Sequence, residues 1–449
     1  MRAGPRPPLT LEPEELRRLG HRVVDAIADH WERVGEEPPI RTGDAAALRA
    51  AIGGPPPDGP GDPGAALDTL LTEVLPFMQH GDHPRFFARV GSPSNPVSAL
   101  ADALGAGLNV FAGSWAGGSG PATVELVVLD WLRDWCGLPE GTGGILVSGG
   151  SVASLTALAA AREARPGRRL AVVSDQTHAS VTRALRLLGL EVRTAPTGDD
   201  LRLSPADLDL DEDVLCVVAT AGTTNTGAVD PLEEIAELCL AHGVWLHVDG
   251  AYGAPSILTD RGRALLPGLE RADSLVLDPH KMLFQPYEAG CVLVRHPGAL
   301  ERAFSMLPEY LRDVSVSSGD EVSFRDRGPQ LSRGSRALKL WLSLHAFGLD
   351  AFRDAIDRCL DLAERAQRAI EATGNLEVVT PAQLGIVTFA PTDPGVDAGE
   401  LSDRVVADGF AAPSSTLLRG RTVLRLCTIN PRTTDDDIDR TVERISRLA

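Results

Sequence analysis

Two residues near the middle of the sequence could carry out chemistry on an amine or a carbonyl compound. Lys281 lies in DSLVLDPHK, directly after an apolar run, and Asp249 directly follows the apolar run VWLHV. A lysine in such surroundings can lose solvent, shift its pKa down and form an imine. The sequence contains one other lysine, Lys339, inside the apolar segment ALKLWLSL. We therefore interpret Lys281 as the reactive amine.

A glycine-rich turn between an apolar run and an Ala-rich segment is a candidate phosphate site. The run GILV is followed by Ser148, Gly149, Gly150 and Ser151 and then by VASLTALAAAR. Free backbone N–H groups and the dipole at such a helix N-terminus suit a phosphate. Alone the signal is weak, because two glycines in a strand-to-helix turn also serve plain geometry. Asp249 alone could equally be a helix cap or a turn residue.

The three features together define a more specific chemistry. A phosphate cradle, an acid and, 32 residues later, a lysine are what pyridoxal 5′-phosphate (PLP) requires. The lysine holds the aldehyde of the cofactor. The acid keeps the pyridine nitrogen protonated, so that the ring accepts the electrons left when a bond to Cα breaks.

The elements that must position these residues form a predicted α/β fold. Six short apolar runs alternate with helical segments from about residue 120 to 300: GILVS, RLAVVS, VLCVVAT, VWLHVD, DSLVLD and CVLVR. Such alternation predicts a mostly parallel sheet covered on both faces. Ligands bind at the carboxyl ends of the strands in open sheets of this kind. The candidate residues follow these runs directly.

The rest of the chain divides into further segments. Residues 13–31 show helical apolar spacing and predict an amphipathic arm helix, and the Pro/Gly-rich residues 53–64 predict a linker. We predict an arm and linker over residues 1–80, a large domain over 81–345 and a smaller α+β domain over 346–449. The last domain has two helical segments around short apolar runs.

Composition excludes several classes of function. The sequence has 62 acidic and 43 basic residues and a formal net charge of -19, which disfavours binding to nucleic acid or to anionic membranes. Six scattered cysteines without a C-x-x-C pair predict reduced packing residues, with no disulfide framework and no metal site. The N-terminus lacks the apolar core of a signal peptide, and no apolar run reaches 18 residues. We expect a cytoplasmic protein.

The sequence resembles the group II decarboxylases of PLP fold type I, the family of aromatic-L-amino-acid, histidine and glutamate decarboxylases. The resemblance runs from about residue 10 to the C-terminus. It rests on segments in the family's order: HPRFFARVGSPSNP, GPATVELVVLDWL, SGGSVASLTALAAAR, SDQTHASVTRA, TAGTTNTGAVDPL, LHVDGAYGA, DPHKMLFQPYEAGCVLVR and RALKLWLSLHAFG. It implies the PLP-dependent transferase fold type I, with a large domain built on a mostly parallel sheet and a smaller C-terminal α+β domain.

The resemblance also assigns roles to individual residues. It implies a Schiff base on Lys281, and it implies that His178 stacks on the cofactor ring and orders the substrate. It implies that Gly150 and Ser151 bind the phosphate, that Asp278 helps to hold the phosphate end, and that Asp249 pairs with the pyridine nitrogen. It further implies that Thr224 lies at the side of the ring, Ala251 packs beneath the ring and His280 lies beside the lysine. Tyr310, on a mobile loop at about residues 306–328, would protonate Cα after CO₂ leaves.

The substrate pocket departs from the family's aromatic-amino-acid members. Arg89-Val90-Gly91 stand where those enzymes carry Tyr-Phe-Pro, while Phe86, Phe87, Phe111 and Trp115 remain available for apolar contact. Arg89 could meet an acidic substrate or face solvent. Met282 replaces the Trp that usually follows the lysine, and the segment 333–336 also differs. Because of these changes, the resemblance does not determine which side chains form the floor of the substrate pocket.

The resulting prediction is decarboxylation of an L-amino acid, aromatic or related, by a homodimer with crossing N-terminal helices. One alternative is an oxygen-dependent aldehyde synthase, which Tyr310 disfavours because that chemistry often goes with Phe. Further alternatives are a glutamate or other amino-acid decarboxylase, a transaminase or β-eliminating enzyme, and a cofactor-binding scaffold.

Overall fold

A seven-stranded sheet forms the centre of the molecule. The computed structural model describes residues 9–306 and 321–449. The strands of the large sheet are β1 (Gly143–Val147), β2 (Leu170–Ser174), β3 (Glu191–Ala195), β4 (Val214–Thr220), β5 (Trp245–Asp249), β6 (Ser274–Leu277) and β7 (Gly290–Val294). Their order across the sheet is β1-β7-β6-β5-β4-β2-β3. Strands β3, β2, β4, β5 and β6 pair in parallel, and β7 pairs antiparallel with both β6 and β1.

The predicted α/β fold class is confirmed, and all six apolar runs are strands of this sheet. The seventh strand, β3, was not predicted from the sequence. It lies at the sheet edge, and four of its five residues are exposed or half-buried, so its sequence EVRTA carries no apolar run. The carboxyl ends of the parallel strands all lie at one edge of the sheet, and a ligand site is expected at this edge.

Helices precede the sheet and cover it. They are α1 (Pro13–Arg33), α2 (Ala45–Ile52), α3 (Pro63–Thr69), α4 (Pro96–Gly107), α5 (Trp115–Trp135), α6 (Gly150–Ala164), α7 (Ala179–Leu187), α8 (Leu232–His242), α9 (Asp260–Leu265), α10 (Ala299–Phe304) and α11 (Ala337–Phe347). The Ala-rich α6 is mostly buried, because small side chains let it approach the sheet closely. Within residues 9–306 and 321–449, no helix has both the length and the apolar character needed to cross a bilayer.

The C-terminal part forms a second, smaller sheet with helices. Its elements are α12 (Leu349–Glu371), β8 (Leu376–Gln383), β9 (Ile386–Pro391), α13 (Ala398–Asp408), β10 (Ser414–Leu418), β11 (Arg421–Cys427) and α14 (Asp435–Leu448). The antiparallel order is β10-β11-β9-β8. Three helices are present where two were predicted, because α13 and α14 are largely polar and bury only one face each.

Two segments bear on the predicted division of the chain, which stays a prediction. Phe87, inside the range predicted for the large domain, bonds to the small one: its N–H donates to Ala412 O (2.9 Å) and its carbonyl accepts from Cys427 N (3.1 Å). The predicted loop at about residues 306–328 falls largely outside the described residues, as does Tyr310. Its C-terminal end is packed instead of loose, because the Phe324 ring is buried in the core of the large domain.

Candidate active site

A cavity of about 780 Å³ opens at the carboxyl ends of the parallel strands. Eleven of the residues predicted from the sequence line it: Arg89, Val90, Gly150, Ser151, His178, Thr224, Asp249, Ala251, Asp278, His280 and Lys281. Lys281 and His280 follow β6, Asp249 ends β5, and the glycine turn joins β1 to α6. The sheet therefore brings the turn at Gly150 close to Lys281, which lies 131 residues further along the chain.

Lys281 is held by a buried carboxylate. Its Nζ lies 2.9 Å from Oδ2 of Asp278, whose side chain is 2% exposed, while the lysine side chain keeps 21% exposure toward the cavity. Burial lowers the pKa of the Lys281 ammonium, but Asp278 and, more weakly, Asp249 outweigh it, so the pKa is raised above its ordinary value. The sequence predicted a lowered pKa for this lysine, which is wrong for the free amine because Asp278 is its direct partner.

Asp249 stands at the carboxyl end of β5 with its side chain almost buried. Its Oδ1 accepts a hydrogen bond from Ala251 N at 3.1 Å, which fixes the carboxylate at the start of the turn after the strand. On the neighbouring strand β4, Thr220 pairs in register with Asp249. Thr220 Oγ1 is buried at the cavity and has no hydrogen-bond partner among the described residues. The site thus offers a carboxylate and a free hydroxyl side by side.

The turn between β1 and α6 leaves space that only glycine permits. Gly149 has φ +143°, a conformation that L side chains rarely adopt, and a Cβ there would lie 3.2 Å from His280 Cε1. A Cβ on Gly150 would lie 2.9 Å from Asp278 Oδ2 and 3.3 Å from Ala251 Cβ. The N-terminal N–H groups of α6 therefore face the cavity beside Ser151 without a covering side chain.

Two histidines border the cavity in different ways. His178 is the N-cap of α7, where its Nδ1 lies 2.8 Å from Ser180 Oγ and accepts from Ser180 N at 3.3 Å. His280 is buried, and its Nδ1 lies 2.6 Å from Ala289 O. Burial lowers the pKa of His280, against the opposing effect of Asp278, whose Oδ2 lies 3.7 Å from His280 Nε2. His280 is thereby disposed to stay neutral.

Three predicted pocket residues lie away from this cavity. The Phe87 ring is buried in the core of the small domain. Phe111 lines a separate cavity with α4 and residues 332–335, and Trp115 packs on the core of the large domain at the start of α5. An aromatic residue near a motif can enter an adjacent core, and within this chain these three do not line the cavity that contains Lys281. Met282, whose substitution put the pocket floor in doubt, is also fully buried in the large core.

Several lining residues were missed by sequence reasoning. They are Gln176, Ser180, Thr220, Tyr252, Tyr287 and Glu288. Thr220 could have been found, because it ends an apolar run just as Asp249 does. Tyr287 gives no such signal: it lies in an irregular segment, and only the fold brings its ring to 5.0 Å from that of His280. Tyr287 is 59% exposed and faces the cavity opening.

These residues fit PLP. The uncovered N-terminus of α6 suits a phosphate, Asp249 suits a ring nitrogen, and Lys281 is an amine within the same cavity. Within residues 9–306 and 321–449, Thr220 Oγ1 and Oδ1 of buried Asp278 have no hydrogen-bond partner, and a polar ligand can satisfy both atoms. Fold and site together define a PLP-dependent enzyme of fold type I.

Comparison with known proteins narrows this class to a family. Residues 65–391 match the model of the pyridoxal-dependent decarboxylase conserved domain. An aromatic-L-amino-acid decarboxylase of Bacillus atrophaeus is 44% identical over 98% of this chain and 97% of its own. A phenylacetaldehyde synthase of a Rosa hybrid cultivar is 31% identical over 84% and 80%. A crystal structure of Oryza sativa TDC with PLP and tryptamine has a TM-score of 0.93 and 27% identity, covering 99% of both chains.

The chain belongs to the pyridoxal-dependent decarboxylase family. It is a PLP-dependent amino-acid decarboxylase, a carboxy-lyase. The predicted family, cofactor and reaction class are thus confirmed.

Proposed function

We propose that this enzyme converts an aromatic L-amino acid to the corresponding amine and CO₂, with PLP attached to Lys281. The 44% identity to an aromatic-L-amino-acid decarboxylase over nearly the whole chain carries the choice of substrate class. The chemistry is supported by the single cavity that contains Lys281, Asp249 and the uncovered N-terminus of α6.

The residues that line this cavity would hold the cofactor. Gly150 and Ser151 would bind its phosphate through the first turn of α6, and Asp249 would pair with its ring nitrogen. By the family resemblance, Thr224, His178 and Ala251 would contact its ring. When bound, PLP supplies an electron sink for the pair released from the bond between Cα and the carboxylate.

Proton handling belongs to residues of this chain. Asp278 Oδ2 lies 2.9 Å from Lys281 Nζ and is a charged partner for this amine whenever the amine carries no cofactor. His280 lies beside this pair, with its Nε2 3.7 Å from Asp278 Oδ2, and burial lowers its pKa, which favours the neutral imidazole. We assign the proton delivered to Cα to Tyr310, a role that rests on the family resemblance, because Tyr310 lies outside the described residues.

The substrate side chain faces Val90 and Tyr287 at the opening of the cavity. Arg89 is less suited to an acidic substrate than its charge indicates, because its Nη1 already donates to Gln79 Oε1 at 2.9 Å. The Tyr287 ring offers a planar surface for an aromatic group. Both contacts favour an aromatic substrate over glutamate.

We also propose that the enzyme is a homodimer. None of the residues of α1 is buried, although Leu16, Val23 and Val24 form an apolar stripe on it. Leu104 and Leu108 at the end of α4 are exposed next to Phe111, which is 38% exposed. A second copy covering these surfaces would bury them and could bring Phe111 to the neighbouring site. A fully active monomer by light scattering would contradict this.

The test of function is product analysis with a panel of amino acids under air and under nitrogen. We expect equal amounts of CO₂ and amine from tryptophan, tyrosine or phenylalanine in both atmospheres, little from glutamate, and none with Lys281→Ala. Aldehyde, ammonia and oxygen uptake would instead identify an aldehyde synthase, the activity named for the Rosa relative. A keto-acid product would indicate transamination.

A further inference from the structure

Three potential metal ligands lie together where the arm helix meets the body of the chain. His30 is on α1, and His80 and Asp82 lie in the segment before α4. Oδ2 of Asp82 is 2.8 Å from Nε2 of His30, and the two imidazole rings have centroids 5.4 Å apart. Each residue offers one ligand atom, and the three atoms all lie within 4.8 Å of one another.

A second observation concerns His80 itself. This residue is only 8% exposed, and its Nδ1 is buried without a hydrogen-bond partner among the described residues. Buried polar atoms are normally satisfied, so such an atom beside two other ligands needs an explanation. A bound ion that recruits His80 would supply one.

We propose that His30, His80 and Asp82 bind one zinc ion. Two imidazole nitrogens and one carboxylate oxygen form a common ligand set for zinc, with water in the fourth position. Tetrahedral zinc with bonds of about 2.0 Å places its ligands roughly 3.3 Å apart. The His30 and Asp82 atoms, now 2.8 Å apart, would separate slightly, and the remaining distances of up to 4.8 Å would shorten. The sequence predicted no metal site, since 50 residues separate the two histidines and no spacing pattern marks them.

The surrounding charges permit a cation. Glu37 pairs with Arg41 at 2.8 Å and so adds little net charge near His80. Arg432 is a cationic group that acts on both His30 and Asp82 and so opposes a cation; its Nη2 donates to Trp31 O at 2.8 Å, and its guanidinium lies 4.5 Å from the Trp31 ring centroid. Asp82 therefore provides the main local charge for the ion.

Zinc here would fasten the arm to the body next to the active-site opening. Helix α1 buries none of its residues, so what joins it to the described part of the chain is mainly polar, such as the His30–Asp82 and Arg432–Trp31 contacts. Gln79, the neighbour of His80, accepts the hydrogen bond of Arg89, which lines the cavity. The ion would thus cross-link α1 to a segment that also supports the cleft.

The test is zinc titration of the metal-depleted, PLP-loaded enzyme against a chromophoric chelator. We expect one ion per chain in the wild type and binding weaker by on the order of 100-fold in His30→Ala and Asp82→Asn, each of which loses one of three ligands. His21→Ala removes an exposed histidine from the same helix and should bind like the wild type. Cobalt should give the visible absorption of a four-coordinate site in the wild type and in His21→Ala alone.

Limited proteolysis provides a second readout. Zinc should slow tryptic cleavage after Arg33 in the wild type and in His21→Ala, and should leave the rate unchanged in His30→Ala and Asp82→Asn. Both variants should fold, because His30 is partly exposed and Asn retains the shape of Asp82. Equal zinc affinity in all four proteins, or no stoichiometric binding in the wild type, would overturn the proposal.

Discussion

Lys281 Nζ and Asp278 Oδ2 lie 2.9 Å apart at the base of the cavity, and Asp278 keeps a second oxygen, Oδ1, without a partner among the described residues. The carboxylate is nearly inaccessible, so its charge acts strongly on whatever occupies the space above it. Asp278 raises the pKa of the free Lys281 amine. The contact also places this amine between the turn that begins α6 and Asp249. The reactive amine is thus positioned by a residue three places before it.

Asp249→Asn should reduce turnover much more than cofactor binding. The substitution keeps the hydrogen bond to Ala251 N through the amide oxygen but removes the charge that would stabilise a protonated ring nitrogen. We expect kcat to fall by on the order of 100-fold or more. Steady-state kinetics at saturating PLP measures this. Asp273→Asn, at a half-buried acid just before β6 and outside the cavity, is the control, and an equal loss there would point to a structural effect.

Gly150→Ala should weaken PLP binding. Its methyl group would lie 2.9 Å from Asp278 Oδ2, so either the carboxylate or the start of α6 must shift. We expect the dissociation constant for PLP to rise by about tenfold or more, since a misplacement of this size disrupts several contacts at once. Equilibrium dialysis measures it. Gly20→Ala adds a methyl group on α1 with nothing within 4 Å, and it should bind PLP normally.

Arg333→Met should destabilise the fold. Nη1 and Nη2 of Arg333 each donate to a carboxylate oxygen of Glu125 at 2.8 Å, and both side chains are fully buried. Removing one partner leaves a buried charge, and we expect the free energy of unfolding to fall by about 3–5 kcal/mol. Denaturant titration measures this free energy. Adding Glu125→Gln to Arg333→Met should restore a large part of the lost free energy of unfolding.

The control for this pair is an exposed one. Arg421 and Glu377 lie 2.6 Å apart with side chains about half exposed. Arg421→Met should therefore change the free energy of unfolding by less than about 1 kcal/mol. A loss as large as that of Arg333→Met would show that burial is not the cause.

His83→Gln should alter how stability depends on pH. Burial lowers the pKa of His83 to about 4, helped by Arg85; its Nε2 donates to Glu37 O and its Nδ1 accepts from Arg85 N. Between about pH 6.5 and 4 the unfolded chain binds a proton that the native His83 does not. The stabilisation by His83 is therefore lost as pH falls, by up to about 1.4 kcal/mol per pH unit.

The measurement is the difference in unfolding free energy between wild type and His83→Gln at several pH values. This difference should shrink as pH falls through that window. Other buried groups cancel in it, including His247, with a pKa lowered to about 4 by burial, and Asp230, with a pKa raised to about 6 by burial. A constant difference, as expected for the exposed His21→Gln, would refute the assignment.

The sequence allowed the strands of the buried sheet to be predicted because each is a short apolar run, and Lys281 and Asp249 were found because they follow such runs. Strand β3 was missed because four of its five residues are exposed or half-buried, so it carries no apolar run. Tyr287 could not be predicted, because only the path of an irregular segment brings it to the cavity. Phe87 was misplaced because an apolar ring does not indicate which of two adjacent cores it enters.

The most direct test of the central claim is to locate the cofactor on the chain. Borohydride reduction of the PLP-loaded enzyme, followed by peptide mass mapping, fixes the cofactor on its lysine. The chain offers an internal control in Lys339, whose Nζ is 2.8 Å from Asp102 Oδ2 and whose side chain is 3% exposed. We predict one modification per chain, on Lys281, with the absorbance near 420 nm lost in Lys281→Ala. Modification of Lys339, or an unmodified Lys281 in active enzyme, would contradict the account.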